Sequence, residues 1–155
     1  MREAVATLAP EAAALARGLM RHLDRQGWRS VTEFSLASGR RADVIGVNEG
    51  GQILIVEIKT CAADYRSDRK WREYLEYCDL FSFAVPDGFP FALLPTETGL
   101  LVADAYDAVP HRPAATAPSA LAPARRRQVL LRFARVAADR LRRQLDPEDG
   151  LDIGA

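Results

Sequence analysis

Two apolar runs joined by a glycine-rich turn constrain the fold of this chain more than any other feature. RADVIGV covers residues 41–47 and QILIVEIK covers 52–59, with NEGG between them. Asn and Gly are typical of hairpin turns, and β-branched residues are typical of strands. WRSVTEFSL at 28–36 has a similar composition and is followed by the turn ASGR. Residues 28–59 therefore predict a three-stranded meander.

Helices and further strands are predicted around this meander. Leucines recur every four residues at Leu15, Leu19 and Leu23, which is typical of an amphipathic helix, and Gly18 within it indicates a close packing contact. In chain order, the other predicted segments are a helix at 10–26, a helix at 67–80 with Ser67 as its N-cap, a short central strand at 81–85, a strand within 91–105, an irregular Pro- and Ala-rich connection at 108–123, and a helix at 123–145.

The order αβββαββα predicts an α/β fold with a single mixed central sheet flanked by helices. We expect one domain at 1–145 and a flexible tail at 146–155. The chain has 155 residues, 48% of them hydrophobic, and equal numbers of basic and acidic residues, so its net charge indicates no partner. No signal peptide, membrane span or cysteine framework is evident, and we expect a soluble, cytoplasmic protein.

Charged residues end the most apolar of these strands. Glu57 and Lys59 share one face of the strand, because successive side chains alternate between faces. The hairpin brings Asp43 to a position near Glu57 or Lys59 on the neighbouring strand. Two carboxylates at short range repel each other unless a cation neutralises them. Each residue taken singly has a simpler interpretation: Asp43 paired with a neighbouring arginine, and Glu57 with Lys59 as a surface ion pair.

Taken together, the three side chains have the chemistry of metal-dependent phosphodiester hydrolysis. Mg²⁺ or Mn²⁺ would be held by Asp43, Glu57 and the carbonyl oxygen of Ile58, because hard cations prefer oxygen ligands. The metal lowers the pKa of bound water, and Lys59 would orient or activate that water. No phosphate-cradling glycine loop, nucleophile elbow or histidine-based triad supports another enzyme class.

RADV followed by VEIK resembles the PD-(D/E)XK nuclease superfamily, with Ala42 in place of the proline of its name. GRRADV, VEIKT and DYRSDRKWREYLEYCDLFSFAV resemble the MmcB-type DNA repair protein family within that superfamily, over roughly residues 10–105. The resemblance implies a restriction-endonuclease-like fold and a metal-dependent DNA endonuclease acting in DNA repair, with Asp43, Glu57 and Lys59 at its site. Its alternative is an inactive nuclease-fold module that binds DNA or a repair partner. Small nucleases often act as dimers, and the sequence leaves a homodimer open.

Further site residues follow from this resemblance. Glu33 is a candidate third acid of the site, and an exposed strand residue without a role is an equally good interpretation of it. Lys70 and Tyr74 have the spacing of the superfamily's Gln-x-x-x-Tyr motif and would contact phosphate or a base. The predicted DNA-binding residues are Arg40, Arg41, Arg69, Lys70 and Tyr74. The arginine-rich helix at 123–145 is interpreted equally well as a phosphate-binding stripe and as a solvated outer face.

Overall fold

One seven-stranded sheet organises the chain in the computed structural model, which describes residues 8–67 and 70–147, apart from the side chains of residues 66 and 67. The elements are α1 (Pro10–Arg25), β1 (Arg29–Ser35), β2 (Arg41–Val47), β3 (Ile53–Ile58), α2 (Ala62–Ser67), β4 (Leu80–Val85), β5 (Gly99–Ala103), β6 (Ala108–Arg112), β7 (Ala115–Thr116) and α3 (Pro123–Leu145), with 3₁₀ helices at Trp71–Tyr77 and Phe91–Leu93.

The strand order across the sheet is β1-β2-β3-β4-β5-β6, and the short β7 pairs with the start of β4. β1, β2 and β3 are antiparallel neighbours, β3, β4 and β5 run parallel, and β6 is antiparallel to β5. The predicted α/β class, single mixed sheet and three-stranded meander are confirmed. β4 lies between β3 and β5, which is the central position expected for it.

Helices cover both faces of this sheet, so the strands between them are buried on two sides. α1 packs its leucines against one face, where Val44 and Val56 point. α3 and the 3₁₀ helix Trp71–Tyr77 cover the other face, where Ile45, Ile55 and Phe83 point. Every residue of β3 is buried, which explains its nearly continuous apolar run.

Gly18 lies where α1 closely approaches the backbone between β5 and β6. A Cβ atom placed there would lie 1.9 Å from the backbone oxygen of Asp104, so no other residue fits without moving the backbone. The predicted close packing contact is therefore confirmed, on the connection between β5 and β6.

The helix predicted at 67–80 is wrong. α2 ends at Ser67 instead of starting there, and a 3₁₀ helix, Trp71–Tyr77, follows. Trp71, Tyr74 and Tyr77 are spaced three residues apart, and all are buried on one side. A 3₁₀ helix has three residues per turn, so this spacing aligns the aromatic rings better than an α-helix would.

The segment 108–123 also differs from its prediction. It contains β6 and β7, whereas an irregular connection was expected, so the predicted order αβββαββα lacks two strands. Pro110 suggested a loop, but β6 is the outermost strand of the sheet, where proline is tolerated. The tail prediction falls mostly on residues 148–155, outside the described part. Among the residues that the structure describes, no helix is long and apolar enough to cross a membrane.

Candidate metal and nucleic-acid site

Asp43 and Glu57 meet at the end of the β2–β3 hairpin. Gly51 adopts a φ of 78° in the turn, and the register pairs Val44 with Val56. Continuing this register places Asp43 opposite Glu57, as predicted. The backbone N–H of Asp43 donates to Oε1 of Glu57 at 3.0 Å, and the N–H of Ile58 donates to Oδ2 of Asp43 at 2.8 Å. Each carboxyl group therefore accepts a hydrogen bond from the opposite strand.

This exchange takes the place of the backbone ladder at the end of the hairpin. The Cα pairing of β2 with β3 stops at Val44 and Val56, and the two carboxyl groups occupy the gap beyond it. In a strand, the N–H and C=O of one residue point to the same side. Because the N–H of Ile58 points to Asp43, its carbonyl oxygen also points toward β2, where the predicted ligand role requires it.

Glu57 and Lys59 are buried at the margin of the aromatic core. Phe83 is the partner of Glu57 in the parallel ladder with β4, and Phe83 packs against Tyr65 of α2. Only 3% of Glu57 and 8% of Lys59 is exposed. A surface ion pair, the simpler interpretation of these two residues, is therefore wrong. Burial makes the charge of Glu57 costly unless a proton or a cation accompanies it.

The electrostatics of the pair follow from this burial. Burial, and then the charge of Asp43, raise the pKa of Glu57 well above its usual range. Burial also raises the pKa of Asp43, opposed by the hydrogen bond from Ile58 and by the charge of Lys59. The charge of Lys59 also acts to lower the pKa of Glu57. A bound cation would stabilise the charged forms of both carboxyl groups further.

A divalent cation fits this donor set. A positive charge stabilises the charged forms of buried Glu57 and half-buried Asp43, whose pKa values are raised, and the backbone oxygen of Ile58 would add a neutral ligand. Across residues 8–67 and 70–147, no group of three or more acidic, His or Cys side chains is arranged to hold a metal. The site thus offers two carboxylates and a carbonyl, a set that Mg²⁺ would complete with water and phosphate oxygens.

Glu33 lies on β1 next to this pair. The β1–β2 register passes from Thr32 and Val44 to Phe34 and Ala42, which places Glu33 opposite Asp43. Its φ of 51° is in the left-handed region, unusual for a residue other than glycine. Oε1 of Glu33 is buried and has no hydrogen-bond partner. Strain and an unpaired oxygen at one residue are typical of functional sites, and its role as a third acid stays a prediction.

Lys70 and Tyr74 do not lie on an α-helix as predicted. Lys70 is exposed and precedes the 3₁₀ helix, while only 5% of Tyr74 is exposed. The Tyr74 hydroxyl donates to the carbonyl oxygen of Arg41 at 3.1 Å, two residues before Asp43. Tyr74 thus supports the backbone of the site from within the core, and its contact with DNA stays a prediction.

Arginines lie beside the start of β2. Arg40 forms an ion pair with Glu73, which raises the pKa of the Arg40 guanidinium. Arg41 is exposed, and its charge acts on Asp43. Arg69 lies outside the described residues. The DNA-binding role of all three stays a prediction.

Two further contacts were not anticipated from the sequence. Arg140 of α3 donates to the carbonyl oxygens of Thr32 at 2.5 Å and Glu33 at 3.1 Å, which holds the strained part of β1. The Tyr74 hydroxyl holds Arg41 in the same way. No local pattern signals either contact, because the partners are separated by 33 to 108 positions.

The open mixed sheet and the acid pair at its margin define a mixed α/β protein that is compatible with a restriction-endonuclease-like fold. The chain belongs to the MmcB-like family, whose model, described as DNA repair protein MmcB-like, matches residues 3–148. This membership indicates a role in DNA repair. No curated protein matches the chain.

A solved structure of a protein of unknown function from Silicibacter pomeroyi is similar throughout. It is 47% identical, with a TM-score of 0.85, and the match covers 96% of this chain and 99% of that one. The similarity supports the fold, and it adds no information on activity.

Proposed function

We propose that this protein is a metal-dependent DNA endonuclease that hydrolyses phosphodiester bonds in DNA repair. The observation that carries the proposal is the pair of hydrogen bonds across β2 and β3, which the carboxyl groups of buried Glu57 and half-buried Asp43 accept from the backbone, together with the raised pKa of both groups. A purely structural ion pair has no need of two acids at this place. Membership of a DNA repair family makes DNA the expected substrate.

Asp43, Glu57 and the Ile58 carbonyl would hold Mg²⁺ or Mn²⁺. The backbone N–H groups of Asp43 and Ile58 each hold one oxygen of a carboxylate, that of Glu57 and that of Asp43 respectively. The second oxygen of each carboxylate is therefore already oriented before a ligand binds. When bound, the metal would lower the pKa of the water that it binds and would stabilise negative charge on the phosphate.

Lys59 would orient or activate the attacking water. Its ammonium lies close enough to Asp43 and Glu57 to act on the pKa of both. Its backbone N–H donates to Ala84 at 3.0 Å, so β4 fixes the lysine beside the acids. Arg40, Arg41, Arg69, Lys70 and Tyr74 are the residues proposed to bind the DNA strand.

The test is cleavage of labelled single-stranded, duplex, flap, abasic and uracil-containing DNA with Mg²⁺, Mn²⁺ or EDTA. Asp43→Asn and Glu57→Gln are the informative variants, because an amide oxygen still accepts the backbone hydrogen bond while the negative charge is removed. We expect metal-dependent cleavage that falls by about 10²–10⁴-fold in either variant, as for the loss of a catalytic group.

Glu97→Gln is the matched control, because Glu97 forms an exposed ion pair with Arg72 away from β2 and β3. It should cleave like the wild type. Equal cleavage by folded Asp43→Asn and wild type would refute the proposal.

The burial of Glu57, of which 3% is exposed, favours one second candidate: a nuclease-fold module that binds DNA or a repair partner without cleaving. That function would give metal binding and DNA binding on the same panel without products on any substrate.

A further inference from the structure

α3 carries two apolar stripes, and among residues 8–67 and 70–147 only one of them packs against the rest of the protein. The inward stripe covers the sheet and consists of Val129, Leu130, Phe133 and Val136. The second stripe, here called the outer stripe, consists of Leu131, Ala134, Ala138, Leu141 and Leu145, all exposed. Leu131 is 54% exposed, Leu141 56% and Leu145 77%. Its alternating spacing of three and four residues is that of a helix-packing seam.

A groove runs along the same side of α3 and shares Leu131 and Ala138 with the outer stripe. Phe34, Leu36 and Tyr77 give this groove an apolar floor. Three arginines also line the groove, namely Arg132, Arg135 and Arg142, and Asp139 lies among them. Stripe and groove thus form one continuous surface, apolar along its length and basic along one border.

Of the eight arginines of α3, three turn toward the protein and the other five are exposed. Arg125, Arg126 and Arg140 turn toward the protein, where each donates to a backbone carbonyl. Arg135 and Arg142 each follow a residue of the outer stripe by four positions and line the groove, so they border the stripe on its groove side. Arg132, Arg135 and Arg142 of the exposed group therefore bring positive charge to the groove beside the outer stripe.

We propose that the outer stripe and its groove bind an acidic amphipathic helix of a partner protein. Apolar side chains of that helix would pack on Leu131, Ala138 and Leu141, and its carboxylates would pair with Arg135 and Arg142. An amphipathic helix in a groove uses anchors at the spacing that the outer stripe presents. The surface lies on α3 and does not depend on the proposed nuclease activity.

Charge and polarity favour this occupant over two others. DNA phosphates would use the arginines, but they gain nothing from exposed leucines. A second copy of the chain would bring arginine against arginine, because Asp139 is the one acid among eight arginines in α3. An acidic partner matches both the leucines and the arginines.

The probe is a synthetic helical peptide with leucine along its heptad seam and glutamate on both flanks, titrated with the full chain and followed by fluorescence anisotropy. We expect a dissociation constant in the micromolar range, of order 10⁻⁶–10⁻⁴ M. The double variant Leu131→Gln/Leu141→Gln should weaken binding at least about tenfold, a difference of about 1.4 kcal/mol. Val109→Gln, at a residue 66% exposed on β6, is the matched control and should bind like the wild type.

A charge exchange tests the basic border. Arg135→Glu/Arg142→Glu should lose the glutamate peptide and bind a lysine version of it, with an unchanged circular dichroism spectrum. The proposal is overturned if the glutamate peptide shows no saturation up to about 1 mM, a free energy of binding near −4 kcal/mol. It is also overturned if duplex DNA displaces the peptide, or if the wild type dimerises and the leucine variant does not.

Discussion

β3 has an aspartate bound to its backbone at each end, and the two ends differ in electrostatics. At the start, the N–H of Ile53 donates to Oδ2 of Asp79 at 2.7 Å. At the end, the N–H of Ile58 donates to Oδ2 of Asp43 at 2.8 Å. The backbone interaction is nearly the same, so any difference between the two aspartates comes from their other neighbours.

Those neighbours have opposite charge. Arg126 forms two hydrogen bonds to Asp79, at 2.6 and 2.7 Å, and holds the pKa of Asp79 below its usual range. Asp43 instead faces Glu57, and burial raises the pKa of both. The first aspartate has Arg126 as its direct partner, whereas the charge of Lys59 acts on both Asp43 and Glu57, so a bound cation would stabilise the second end further. This difference separates a structural ion pair from a candidate site.

The largest expected effect is stabilisation by metal at the second end only. At a Mg²⁺ or Mn²⁺ concentration a hundred times the dissociation constant, the free energy of unfolding should rise by about 2.7 kcal/mol. Glu57→Gln should abolish this rise, because one of the two anionic ligands is lost, while Asp79→Asn should keep it. Thermal unfolding with increasing metal measures the effect, and an equal rise in wild type and Glu57→Gln would contradict it.

The next largest effect is expected at the start of β3, where Asp79 accepts the hydrogen bond from Ile53. Asp79→Asn should lower the free energy of unfolding by about 1–3 kcal/mol, because the partly buried Arg126 loses a charged partner. Chemical denaturation in EDTA measures it. Glu57→Gln serves as the comparison, since it removes a repulsive charge and should leave the stability unchanged or higher. A loss of stability in Glu57→Gln similar to that in Asp79→Asn would mean that both ends are structural.

The pH dependence should have opposite signs at the two ends. The folded pKa of Glu57 is raised, so the unfolded chain releases this proton first and stability is lost as the pH rises through the folded pKa. The folded pKa of Asp79 is lowered, so its stabilisation is present above the unfolded pKa and is lost as the pH falls. Melting temperatures from pH 3 to 9 in EDTA, compared with Glu57→Gln and Asp79→Asn, should separate the two slopes.

A smaller effect is expected from the arginine that holds β1 beside the site. Arg140→Ala should cost about 1–2 kcal/mol, because it removes hydrogen bonds to the carbonyls of Thr32 and Glu33. Arg143→Ala is the matched control on the same helix, since Arg143 forms an exposed ion pair with Asp139 and should change little. Chemical denaturation measures the free energy of unfolding. Equal decreases in the two variants would mean that the contact of Arg140 with Glu33 contributes no more to stability than an exposed ion pair.

The sequence predicted the second end of β3 better than its surroundings. Asp43 and Glu57 could be paired because the turn at 48–51 fixes their register locally, and alternation then orients Lys59. The 3₁₀ helix was missed because an apolar spacing of three or four residues resembles an α-helix. Arg140 could not be paired with Glu33 from sequence, because that contact depends on how α3 packs across the sheet.

The separation of these partners along the chain has a consequence for folding kinetics. Asp43 and the Glu57 carboxyl are 14 positions apart, whereas Arg140 and Glu33 are 107 apart. Short loops close on a timescale of about 10–100 ns, and contacts between distant residues form later. We therefore expect the acid pair to meet early in folding, and the docking of α3 onto Glu33 to complete the site last.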